Sequence, residues 1–457
     1  MTASERPNVL VVLTDQQRHD TVGAYDSPMD LTPTLDAMAD RGTRVEHAVA
    51  SQPLCGPSRA CLQTGQYATT NGCWKNGVPL PHDADHLLAR QFDGAGYETA
   101  YVGKWHLAGT QDDPVPPGER GGYDHWVAAD VPEFTSHPYE GHLFDADGER
   151  VTFEDRYRVD AYTDHAVETL ETVSTSDDPF FCFLSYLEPH HQNDMETFVA
   201  PEGYAERDDA PWVPPDLRER PGDWYAELPD YYGICRRIDE NLDRLLKTLD
   251  RLDEREDTVV LFTSDHGCHF RTRPGEYKRS AHEASIRVPF VMSGPGFDNG
   301  GVVEDPVELV DVAPTLLDAA AIDVPDAMQG RSLLSLLRTT DDPGGDGADD
   351  WRDEAFVQIS ESEIGRAIRT DRWTYAIAAP AIDGWQGGMD EPSSDTYVER
   401  YLYDLRADPA ERINLVGRPE YREVADELLE RLANRMVAAG EDRPEILPFE
   451  NPGYREY

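Results

Sequence analysis

Two aspartates, Asp15 and Asp265, each follow an apolar, largely β-branched run, Asn8 to Thr14 (NVLVVLT) and Thr258 to Ser264 (TVVLFTS). Such runs predict strands buried on both faces of a parallel sheet, and open α/β sheets bind ligands at the C-terminal edge of their strands. Carboxylates at that edge can hold a divalent cation that neutralises an oxyanion ester and lowers the pKa of a nucleophile. Gln16 and His266 stand beside them; Gln16 either lends a carbonyl oxygen or positions its neighbours, and the imidazole of His266 suits manganese better than calcium. A zinc cluster from His266, Cys268 and His269 would be crowded and lacks a second ligand pair. Only four of the 41 basic residues are lysines, Lys75, Lys104, Lys247 and Lys278. A lysine near an acidic edge can bind anionic oxygens or protonate a leaving oxygen. In Cys55-Gly56-Pro57-Ser58-Arg59 the proline sits as in a first helical turn, which puts Arg59 one turn beyond Cys55. Taken alone, that pentapeptide also fits a plain helix start with a packed cysteine.

The elements that must carry these residues follow from periodicity. Further strand-like runs occur at Pro179 to Leu187 and Val288 to Ser293. Between them lie helical patterns, clearest at Asp155 to Val173 and at Trp224 to Leu252, where Ile234, Ile238, Leu242, Leu245 and Leu249 repeat every three or four residues. This is an alternating α/β plan. Asp341 to Asp350 (DDPGGDGADD) has no periodicity and is expected to be a linker. Beyond it, Ala355 to Glu361, Arg366 to Ile377 and Tyr401 to Leu405 alternate like strands of a small antiparallel sheet, and Tyr421 to Ala439 closes as a helix. The expected organisation is therefore a catalytic α/β domain over 1–340, a linker over 341–350 and an α+β subdomain over 351–457.

Cys55 to Gly65 (CGPSRACLQTG) matches the C-x-P-S-R-x-x-x-x-T-G signature of type I sulfatases, in the alkaline phosphatase superfamily. Pro7 to Arg18 is similar to that family's opening strand, and Gly96 to Leu107 (GYETAYVGKWHL) to its G-Y-x-T-x-x-x-G-K-W-H segment. Thr263 to Gly267 (TSDHG), with Lys278 and Arg287-Val288-Pro289, resembles its distal metal-and-lysine motif, and Tyr401 to Leu415 its C-terminal segment. The resemblance spans almost the whole chain. It implies a large, mostly parallel central sheet flanked by helices, with a small C-terminal antiparallel sheet and helix.

It also implies hydrolysis of a small anionic sulfate monoester to an alcohol and inorganic sulfate. In the family a separate formylglycine-generating enzyme oxidises the cysteine matched by Cys55. The hydrated aldehyde attacks sulfur with one oxygen and expels sulfate through the other, where a serine would be trapped as an ester. One divalent ion, calcium in the family, would be held by Asp15, Gln16, Asp265, His266 and the modified Cys55. Arg59 would hold the diol and a metal ligand. Lys104 and Lys278 would bind sulfate oxygens or protonate the leaving group. His106, expected on the same strand face as Lys104, would remove the diol proton. His190, favoured over His191 because Pro189 precedes it, would contact the ester, as would Asn76. His282-Glu283 is expected to be support structure. The Asp15-Gln16 and Asp265-His266 pairs depart from the usual Asp-Asp and Asp-Asn. They resemble choline sulfatases and phosphonate monoester hydrolases, which makes a phosphonate or phosphate ester hydrolase the alternative activity. A non-catalytic binding homologue is a third reading, opposed by the intact set of Cys55, Arg59, Lys104, His106 and Lys278.

Acidic residues number 89 against 41 basic, a net charge of −48 that repels nucleic-acid phosphates and anionic lipid surfaces alike. The six cysteines show no CxxC spacing and no secretion signal accompanies them, so free thiols and a cytoplasmic location are expected. An acidic surface nearly free of lysine suits a salt-loving source. In molar salt the screening length falls to about 3 Å, which removes global repulsion but leaves contacts inside a dry pocket largely unscreened. Stability and kcat/KM for an anionic ester should therefore both rise from dilute buffer to molar potassium chloride. Thermal melts and initial rates across a salt series check this, and optima at low salt would refute it.

Overall fold

The computed structural model describes residues 6–207, 210–273, 275–341, 351–380 and 391–449. The expected linker lies outside them from residue 342 onward. An eleven-stranded sheet runs through the larger part of the molecule. At its centre Asn8–Thr14 lies between Thr258–Ser264 and Phe180–Ser185, followed by Glu98–Lys104 and His125–Ala129, all parallel. Every residue of Asn8–Thr14 is buried, as its unbroken apolar run requires. The strand's period of two sorts its side chains between two cores. Val9, Val11 and Leu13 pack with Leu62, Phe92 and Leu316 on one face, and Leu10 and Val12 with Leu170, Ile238 and Leu242 on the other. The second face is covered by Arg158–Val173 and Trp224–Arg251, within two or three residues of where periodicity predicts them.

The expected strand at Val288 to Ser293 forms over Phe290–Ser293 but runs antiparallel to Thr258–Ser264. Among the described residues, the segment between them holds only the one-turn helix Glu283–Ile286. A parallel return needs a full crossover, usually a helix, and here that length is spent on loops at the sheet edge. Register brings the functional ends together: Thr14 pairs with Ser264, while Ser185 pairs with both Leu13 and Gly103. Gly103 has a φ of +103°, and a Cβ there would fall 2.0 Å from the Ser185 carbonyl oxygen, so only glycine lets these strands close.

The C-terminal sheet contains Glu354–Ile359, Gly365–Thr370, Trp373–Ala378 and Thr396–Asp404, antiparallel throughout, under the helix Arg422–Ala438. The run Arg366 to Ile377, expected as one strand, is a hairpin. Thr370 Oγ1 accepts the N–H groups of Arg372 and Trp373 and turns the chain there. A fifth strand, Glu445–Leu447, joins parallel to Thr396–Asp404. This layer packs behind Cys55–Thr64, whose Cys61 shares a core with Tyr67, Phe356, Ile368 and Leu432.

Glu411 is buried in this layer and accepts the Glu283 N–H at 2.9 Å. Burial, opposed by Arg273 and reinforced by Glu283, pushes its carboxyl from 4.5 up to about 8. The folded chain then holds this proton more tightly than the unfolded one, so stability falls as pH rises from about 4.5 to about 8. Glu411→Gln should flatten that fall. Melting temperatures of both proteins across this interval check it, and parallel declines would count against it.

Candidate active site

Cys55 begins the helix Cys55–Thr64, every residue of which is buried and which Gly65 ends with a φ of +63°. The helix is held against the sheet edge by Ser58 Oγ, which donates to the Asp265 carbonyl at 2.7 Å. Asn76 Oδ1 accepts the Gly56 N–H at 3.0 Å, which fixes Asn76 beside the helix N-terminus, where backbone N–H groups favour anions. Arg59 projects one turn on and reaches four strand ends. Its Nε donates to Asp265 Oδ2 at 3.1 Å, Nη2 to Asp15 Oδ2 at 3.2 Å, and Nη1 to the Lys104 carbonyl at 2.9 Å and to Ser185 Oγ.

Asp15, Cys55, Asp265 and His266 form one buried group whose donor atoms lie within 4.8 Å of one another. His266 Nδ1 is 3.0 Å from the Gly267 carbonyl, which only accepts, so Nδ1 carries the proton. The lone pair of Nε2 then faces Cys55 Sγ at 3.3 Å and the Asp15 and Asp265 carboxylates at 3.5 Å each. Gln16 Oε1 is buried without a hydrogen-bond partner. Two carboxylates, an imidazole lone pair and an orphan carbonyl oxygen fit a divalent cation. Cys268 and His269 do not join them: Cys268 Sγ accepts from Gln16 Nε2, and His269 Nε2 lies 3.1 Å from the Lys278 carbonyl.

Burial and the Cys55 sulfur raise the Asp15 carboxyl, but the Lys104 and Lys278 cations hold it below the usual carboxylate range. Burial, then the Asp15 charge, push Asp265 up to about 6. Burial likewise opposes ionisation of Cys55, yet the Lys104 and Lys278 cations hold its thiol well below the ordinary range. Lys104 is fully buried, donating to Asp15 Oδ2 at 2.8 Å and to Glu133. Lys278 Nζ lies 2.9 Å from Cys55 Sγ and 3.0 Å from His190 Nε2. His190 Nδ1 is 2.7 Å from the His191 carbonyl, so its Nε2 lone pair accepts from the ammonium. His191 stacks on His190 and packs against Tyr277.

A cavity of about 430 Å³ opens over this group, walled by Cys55, Asn76, His106, Glu133, His190 and Lys278 among others. His106 does not share a strand face with Lys104. The strand ends at Lys104, and His106 takes a φ of +60° as its N–H reaches the Asp130 carbonyl at 2.7 Å, which turns the ring toward the cavity. His282 lies 3.2 Å from the Tyr403 hydroxyl and is not part of this wall. Sequence reasoning missed Asp130, whose carboxylate accepts the N–H groups of Ala108, Thr110 and Gln111 and shapes the loop after His106. Its signal was a third strand-end aspartate, after His125–Ala129. Glu133 and Ser185 carried no such signal.

A buried site of two carboxylates, an imidazole and a cysteine beside a lysine–histidine pair fits a hydrolase of oxyanion esters. A family model described as sulfatase matches residues 7–322, and one described as the C-terminal part of N-sulphoglucosamine sulphohydrolase matches 275–386. An ulvan-active sulfatase of Formosa agariphila is 32% identical, over 96% of this chain and 82% of its own length. An N-acetylglucosamine-6-O-sulfatase of Bacteroides thetaiotaomicron is 25% identical, over 94% and 86%. A structure solved with its substrate D-glucosamine-2-N,6-O-disulfate superposes with a TM-score of 0.76 at 25% identity, covering 96% of this chain and 99% of that one. A phosphonate monoester hydrolase of Agrobacterium radiobacter shares the fold, with a TM-score of 0.68 at 23% identity over 95% and 96% of the two chains. The chain belongs to the sulfatase family, enzymes that hydrolyse sulfate esters.

Asp265→Ala removes one of the two carboxylates of the candidate metal group. Elemental analysis after dialysis should find the divalent ion in the wild type and none in this variant; equal ion content in both proteins would refute the ligand set.

Proposed function

We propose that this sulfatase acts on a sulfate ester of a sugar, with Cys55 converted to formylglycine and one divalent ion held by Asp15, Gln16, Asp265, His266 and the modified residue 55. The observation that carries this reading is the position of Cys55 Sγ, between Asp15 and His266 on one side and Lys278 on the other. The sugar is supported by the relatives whose names specify ulvan or N-acetylglucosamine. The ion would supply positive charge to sulfate oxygens and lower the pKa of the attacking hydroxyl. Residue 55, as a hydrated aldehyde, would supply one hydroxyl to attack sulfur and a second through which sulfate leaves.

The other side chains then divide the work. Arg59 keeps the two aspartates in register. Lys278 binds the ester and, through its contact with His190 Nε2, delivers a proton to the departing alcohol oxygen. Asn76 orients the substrate at the cavity wall. His106, whose Nδ1 is buried without a partner, takes the proton of the second hydroxyl. Lys104 contributes its field through Asp15 and Glu133, behind the wall. Manganese is favoured over calcium by the lone pair that His266 aims at the aspartates.

A second reading, phosphonate or phosphate ester hydrolysis, rests on the same Gln16 and His266 substitutions. Matched sulfate and phosphonate esters separate the two through their kcat/KM ratio. No described helix is long and apolar enough to cross a membrane. All six cysteines are free and buried, which supports a reducing, cytoplasmic setting. Active protein should show the mass of an aldehyde in the peptide bearing Cys55, and expression without the oxidising enzyme should leave a thiol and little turnover. Full activity from protein whose Cys55 is wholly thiol would sink the proposal.

A further inference from the structure

We propose that the cavity above Cys55 continues into a groove that binds uncharged sugar residues next to the sulfated one, so that the preferred substrate is an oligosaccharide and not a sugar monosulfate. This rests on the sulfated-sugar reading above. The first cavity shares Glu133 and Phe134 with a neighbour of about 500 Å³. That neighbour in turn shares His137, Glu140 and Glu154 with a third cavity of about 350 Å³, which reaches Tyr139 and Met195. The groove follows the short antiparallel strands Ser136–His137, Glu140–Phe144 and Arg150–Glu154 at one edge of the central sheet. Cys55 lines the first cavity and neither of the other two, so the continuation bears on sugar residues next to the sulfated one.

Three features point to a neutral glycan. Apolar side chains stand in the open along the groove, Phe134 at 63% and Tyr139 at 38% exposure, where rings can stack on the C–H faces of sugars. Acceptors are available: the exposed carboxylates of Glu140 and Glu154 line both the second and the third cavity. The third is charge. Among the described residues, the second and third cavities are walled by Glu140, Glu154, Asp155 and Asp194, the last 3.4 Å from His137, and by Glu133, which Lys104 neutralises, with no lysine or arginine in the wall itself. Glu140 and Glu154 stand directly opposite each other on neighbouring strands, an arrangement that costs stability and gains nothing from packing. Such a wall accepts hydroxyl protons and repels a second sulfate or a uronate carboxylate.

The test compares kcat/KM for a sugar monosulfate, the same sugar at the end of a neutral oligosaccharide, and a polysulfated oligosaccharide of equal length. Each is measured with wild type, Phe134→Ala and the double variant Glu140→Lys/Glu154→Lys, and ratios between substrates cancel any general loss of activity. Wild type should favour the neutral oligosaccharide over the monosulfate by about tenfold, the equivalent of about 1.4 kcal/mol. Phe134→Ala should lower that ratio. The charge reversal should raise the ratio of polysulfated to neutral oligosaccharide, and molar salt should do the same in wild type. Equal rates for monosulfate and oligosaccharide, or a wild-type preference for the polysulfated chain, would overturn the groove while leaving sulfatase activity in place. Turnover of phosphonate esters alone, with none of any sulfate ester, would overturn the reading beneath it as well.

Discussion

The architecture is organised around one electrostatic conflict. Parallel pairing of Asn8–Thr14 with Thr258–Ser264 sets two buried carboxylates abreast. With donor atoms no more than 4.8 Å apart and an effective dielectric of 20, that repulsion is worth at least about 3 kcal/mol. Arg59 resolves it by bonding to both at once through separate N–H groups of its planar fork. The same side chain also holds the Lys104 carbonyl and Ser185, so one fork fixes the relative height of four strands and the helix that carries Cys55. Removing it would leave Asp265 buried without its cation and Asp15 with Lys104 alone, a loss of roughly 3–5 kcal/mol.

Two of the residues with a left-handed backbone stand at the same place. Gln16 and His106 both adopt positive φ, a conformation that costs of order 1–3 kcal/mol for residues other than glycine. Gln16 is held there because its N–H reaches Asp265 Oδ1 and its carbonyl accepts from Tyr231. In both cases a strand has just ended and the turn swings a polar side chain toward the site. In a chain of net charge −48, the cations Arg59, Lys104 and Lys278 are gathered where these turns converge.

Much of this arrangement is legible in the sequence because it is short-range. Strand-end aspartates follow from apolar runs, and the one-turn offset of Arg59 from Cys55 follows from helix geometry. What the sequence conceals depends on contacts between distant segments. Nothing in the residues around Glu133 announces a partner for Lys104, since their meeting requires the loop after His125–Ala129 to fold back over the sheet edge. The antiparallel course of Phe290–Ser293 is hidden for a similar reason, because a buried strand has the same apolar pattern in either direction. The hairpin within Arg366 to Ile377 escaped because Thr370 makes its turn with a side-chain bond and no glycine or proline marks it.

The burial of the helix that begins at Cys55 sets an order of events. Cys55 is 2% exposed, and the helix that begins with it is enclosed between the central sheet and the C-terminal layer. A small ester can enter the cavity above it, but the binding cleft of another protein cannot. If residue 55 is remade by a separate enzyme, that enzyme competes with folding for the same stretch of chain. The outcome is decided once per molecule: a chain that closes too early is a sound fold with a permanently silent centre. The proportion of active molecules in a cell then records the relative speeds of two processes during synthesis.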